Sequence, residues 1–133
     1  METSGKVLIV GGSFSLFYGF LLGFALTAAR MNAPTASRHL VTAHLSAIIQ
    51  GATLLALSSV MSFSDLPDLV ETTAASLLVG GAMLFVAGAI VNWKQNVADH
   101  FAERSLGWKL FATSGPANVA GASIVLVGVL RGL

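Results

Sequence analysis

Apolar residues run through this chain in four long stretches, about 6–29, 40–63, 70–92 and 110–130, and the polar residues gather between them. Each stretch reaches the roughly 20 residues that carry a helix across a ~30 Å hydrocarbon core. The breaks read MNAPTAS, SDLPD and the longer WKQNVADHFAERSLG. Short connections favour antiparallel neighbours. The pattern therefore predicts an all-α protein, a single integral membrane four-helix transmembrane bundle over residues 1–133. The first stretch ends in ALTAA, small residues of the kind found at signal-peptide cleavage sites. It is longer than the about 7–15 residues of a signal-peptide core, and three further stretches follow, so it is read as retained.

Composition agrees with a lipid bilayer as the surrounding medium. Charged residues make up 10% of the chain and apolar ones 55%, with a mean hydropathy of +0.81. Soluble domains carry about a quarter charged residues. A net charge of +1 without a basic tract predicts no nucleic-acid partner. The absence of cysteine excludes disulfides, thiolate catalysis and cysteine-ligated metal. Arg30, Arg38, Lys94, Arg104 and Lys109 border the first and third connections, against Lys6 and Arg131 on the other side. Five against two predicts that both termini lie outside the cytoplasm, and the membrane expected is a bacterial inner membrane.

Small residues recur on the predicted helices. Gly11, Ser15, Gly19 and Gly23 are spaced by four, while Gly81 and Gly88, then Ser114, Gly121 and Gly128, are spaced by seven. Such stripes let helix backbones approach closely in lipid. They predict tight bundle packing, with some faces available for a homo-oligomer.

Candidate chemistry concentrates at the start of the second stretch, RHLVTAHLSAIIQG. Ionisable residues inside a membrane are costly and mark functional sites by default. At about 100° per residue, Gly51 lies almost beneath His44 and Ala47 falls near the same line, which predicts an imidazole over a floor of small side chains. Two readings follow. His44 ligates a flat macrocycle resting on that floor, or it is hydrogen-bonded to a neighbouring helix across a close glycine contact. His39 stands about 140° from His44 around the helix, so the two cannot clamp one iron, and a haem here would be five-coordinate with an open position. His39 is expected at the interface and His100 in a loop. The acids Asp65, Asp68, Glu71, Asp99 and Glu103 fall in connections or at helix ends and are expected to be solvated. No carboxylate sits mid-span, which argues against a proton-coupled small multidrug transporter. Tyr18, Gln50, Asn92 and Asn118 are expected to hydrogen-bond between helices, and Trp93 and Trp108 to anchor at the interface.

The run Arg38-x5-His44-Leu45-x4-Gln50-Gly51-x2-Leu54 resembles the signature of hydroxylaminobenzene mutases, small four-helix membrane proteins with Asn-Gly where Gln50-Gly51 stands here. Asn92-Trp93 resembles their Asn-Trp pair, and the Ala43-His44-x5-Gln50-Gly51 core is similar to that of styrene oxide isomerase, whose histidine ligates haem b. The third stretch lacks the tyrosine that the isomerase carries. The resemblance implies an isomerase for a small apolar aromatic substrate: an arylhydroxylamine rearranged to an ortho-aminophenol, or an aryl epoxide to an aldehyde. It further implies ferric haem b as Lewis acid with iron ligated by His44, Ala47 and Gly51 beside the macrocycle, and Arg38 on a propionate or serving as a positive-inside anchor. Gln50 or Asn92 would orient the substrate oxygen, and the homo-oligomer would be a trimer. The alternative from another class is a non-enzymatic membrane anchor or haem-carrying subunit.

Overall fold

Serine side chains cap the starts of two of the four helices. In a computed structural model that describes residues 2–133, the chain forms α1 (Thr3–Asn32), α2 (Arg38–Val60), α3 (Asp68–Lys94) and α4 (Leu106–Gly132), with one 3-10 turn at Met61–Phe63 after α2. Ser37 starts α2 by accepting the His39 amide, and Ser105 starts α4 by accepting the Trp108 amide. Pro67 precedes the first turn of α3. The helices overrun the apolar stretches at most ends. Polar residues such as Arg30, Arg38 and Lys94 continue them into the headgroup zone, where backbone groups still need partners.

The four helices form an antiparallel bundle, and all are long and apolar enough to cross a membrane. α3 is its central element: α4 lies along it most extensively, and it also packs against α1 and α2, themselves closely paired. The interior combines small residues, Ala43, Ala47, Ala74, Ala75, Ala82 and Ala89, with larger ones such as Leu8, Leu40 and Leu54, all of them buried. The phenylalanines of α1 face outward, as Phe17, Phe20 and Phe24 do. A soluble bundle buries such aromatic side chains in its core. Here lipid solvates large apolar side chains, and close backbone approach holds the helices together.

The glycine stripes are used inside the chain. A Cβ on Gly51 would lie 2.9 Å from the Leu16 backbone nitrogen and 3.0 Å from the Gly12 carbonyl. One on Gly88 would lie 2.8 Å from the Gly107 carbonyl, so glycine faces glycine in both seams. Ser15 donates from Oγ to the Ala47 carbonyl at 2.9 Å, closing the α1–α2 seam with a hydrogen bond.

One acidic residue departs from expectation. Glu71 is 2% exposed in the first turn of α3, where the amide ends favour a carboxylate, and it accepts from Ser4 Oγ at 3.2 Å. Glu2 stands beside it, and the nearby Glu71 carboxylate raises the Glu2 carboxyl above its ordinary range.

Candidate functional site

His44 faces α1 directly. Its Nδ1 lies 2.8 Å from the Gly19 carbonyl, and the ring fills the notch left by Gly23, where a Cβ would stand 3.0 Å from the imidazole Cε1. A carbonyl can only accept, so Nδ1 carries the proton and Nε2 of the neutral ring keeps its lone pair. The ring is half-buried. The hydrogen-bonded reading of His44 thus describes one nitrogen and leaves the other uncommitted.

A metal-ligating histidine commonly donates its second nitrogen to a backbone carbonyl, which fixes its tautomer and orientation. In that respect His44 fits an axial iron ligand. The expected floor does not fit. Ala47 is 1% exposed and Gly51 lies under Leu16, so α1 occupies the face on which a macrocycle was to rest. A group held by His44 has the half-exposed side of the α1–α2 seam to occupy.

The other expected site residues lie elsewhere. Arg38 donates to the Ala98 carbonyl in the connection between α3 and α4, about 120° around α2 from His44. Gln50 is also turned about 120° from His44. With Asn118 it lines a cavity of about 230 Å³ among α2, α3 and α4, where its Oε1 is buried without a partner. Asn92 is fully buried in the α3–α4 seam and accepts from Ser105 Oγ at 2.7 Å. Neither amide is brought to His44 within one chain. Comparison with family models, with curated proteins and with solved structures finds no match for this chain.

Two features near this region escaped the sequence pattern. An apolar cavity of about 340 Å³ opens between α1 and α3, reaching Ala47 on α2, with Phe14, Ser15, Tyr18, Met83 and Val86 in its wall. Tyr18 stands there on the first helix, the only tyrosine of the chain. His39, in turn, stands buried at the start of α2, and its Nε2–H donates to the Val97 carbonyl at 2.9 Å. The fall of hydrophobicity marks helix ends but does not say which connection folds back over which helix.

Proposed function

We propose that this chain is a membrane isomerase of the hydroxylaminobenzene mutase and styrene oxide isomerase type, acting on a small apolar aromatic substrate drawn from the bilayer. The observation that carries the reading is the His44 imidazole, oriented by the Gly19 carbonyl with Nε2 left free in the half-exposed seam. Haem b held through that nitrogen would supply a ferric Lewis acid for a substrate oxygen without net redox change. The Gly19 carbonyl fixes the tautomer that ligates, and Gly23 leaves room for the ring. The cavity that reaches Ala47 has the size and apolar wall for a single aromatic ring, with Ser15 and Tyr18 in that wall, while His44 stands outside it. For an arylhydroxylamine, the N–O bond breaks, oxygen bonds the ortho carbon, and the displaced ring proton passes to nitrogen. For an aryl epoxide, the benzylic C–O bond opens and a hydride shift gives the aldehyde. With the floor beneath His44 closed by α1, the proposal extends to a homo-oligomer, a trimer by the resemblance.

The hydrogen bond across Gly23 equally suits a second reading, a non-enzymatic membrane subunit in which His44 ties α2 to α1. Feeding phenylhydroxylamine and styrene oxide to membranes containing the protein separates the two. The enzyme reading expects isomeric product from one of them and its loss in His44→Ala. Conversion of neither substrate by haem-replete membranes contradicts it and leaves the subunit reading.

A further inference from the structure

The end of the bundle that carries Arg38 holds a second cavity, away from His44. It measures about 370 Å³ and lies where α2 meets α3, α4 and their connection. Phe85, Phe101 and Phe111 form much of its wall, with the His39 and His100 rings beside them and Arg38 at its edge. The rings contact one another: His39 and His100 meet edge to face at 5.7 Å between centroids, and His100 lies 5.4 Å from Phe111. The structure thus assembles an aromatic box from a helix start, two helix faces and a loop.

Three observations describe what the box takes. Its volume falls within the roughly 300–1,000 Å³ of small-molecule sites, at the end suited to one ring. Nδ1 of His100 is buried and has no partner in the chain, and a buried polar atom without a partner calls for one. Arg38 is exposed and spends a single donor on the Ala98 carbonyl, leaving the rest of its fork for a planar anion. The surroundings have the same sign. Arg30, Arg38, Lys94, Arg104 and Lys109 lie at this end. Two acids stand among them: Asp99 accepts the Phe101 and Ala102 amides and is also near Arg38 and His100, and Glu103 accepts the Ala98 and Asp99 amides, so the basic residues outnumber the acidic ones five to two.

We propose that this cavity binds a one-ring arene carrying a carboxylate, with its ring among the phenylalanines and its anion on Arg38. The site is separate from His44 and does not depend on haem.

Titrating benzoate into the full chain in lipid nanodiscs, followed by ligand-observed NMR, tests it. Toluene and cyclohexanecarboxylate serve as controls lacking the charge and the π-face. The expected result is saturable binding of benzoate that Arg38→Gln weakens about tenfold or more, as for loss of a charge-assisted hydrogen bond. His100→Phe keeps the ring, removes the nitrogen and weakens binding by about threefold or more, the cost of a neutral hydrogen bond. Toluene should show no dependence on Arg38. If Arg38→Gln does not fold, His100→Phe and Phe101→Ala decide the matter, since both leave the Arg38 contact to the loop intact. Benzoate that only partitions without saturating overturns the proposal. So does saturable binding unchanged in every folded variant, or cyclohexanecarboxylate binding as tightly as benzoate.

Discussion

His44 uses one ring nitrogen inside the chain and leaves the other, and that division makes it both a helix tie and a candidate ligand. Gly23 is the residue that permits it, because a side chain there meets the ring at 3.0 Å. Gly23→Ala should therefore displace the imidazole and lower haem affinity by about tenfold, the lower end of what lost orienting partners cost a metal ligand. Haem titration of the purified variant checks this, and wild-type affinity would mean that the Gly23 notch does not set the ring. The spacing of His44 and Gly51 was legible in the sequence because helical geometry fixes it. What covered Gly51 was not, since periodicity gives the face of a residue and not the helix packed on that face. Gln50 shows the same gap: its amide was visible, but its cavity with Asn118 needed the positions of α3 and α4.

The connection between α3 and α4 is where sequence patterning said least and local chemistry decides most. Asn96 takes φ 51° after the last turn of α3, and the Val97 amide returns to the Asn92 carbonyl at 3.0 Å while the Asn96 amide reaches Trp93. This closes the helix as a left-handed residue at that position usually does, and asparagine tolerates the conformation better than a branched residue. Asn96→Val should cost about 1–2 kcal/mol, read as a lower unfolding midpoint in detergent. The turn then carries Val97 and Ala98 over α2, where their carbonyls meet His39 and Arg38. Asp99 holds the following turn. The Ala102 amide first, and the Phe101 amide with it, keep its carboxyl below the ordinary range. A carboxyl depressed in the folded state contributes stability above its unfolded value and loses it as pH falls through the folded one. Acidification below the usual carboxylate range should therefore loosen this connection, with faster amide exchange at Phe101 and Ala102. Protection that stays constant through that range would contradict the role given to Asp99.

Across the whole molecule, the seams between helices depend on a few close backbone contacts at glycine. Gly51→Val should destabilise the bundle by about 1–3 kcal/mol or more, the cost of overpacking. Gly80, with nothing within 4 Å of its added Cβ, should accept alanine within about 0.5 kcal/mol. Thermal unfolding of both variants tests the contrast, and equal midpoints would contradict the packing described. The four-helix bundle itself was plain in the sequence, because hydrophobic length is a strong constraint in a membrane. The pairing of helices was only half visible. The four-spaced stripe on α1 correctly marked a packed face, whereas Gly12, Gly51 and Gly107, which also meet the backbone of a neighbouring helix, belong to no complete stripe.

The central proposal, that His44 would hold haem, is tested most directly by the absorption spectrum of protein purified after haem-replete expression. The spectrum predicted is a Soret band of five-coordinate ferric haem, absent from His44→Ala although that variant still inserts. A wild-type protein with no Soret band would contradict the claim, as would a His44→Ala protein that retains it.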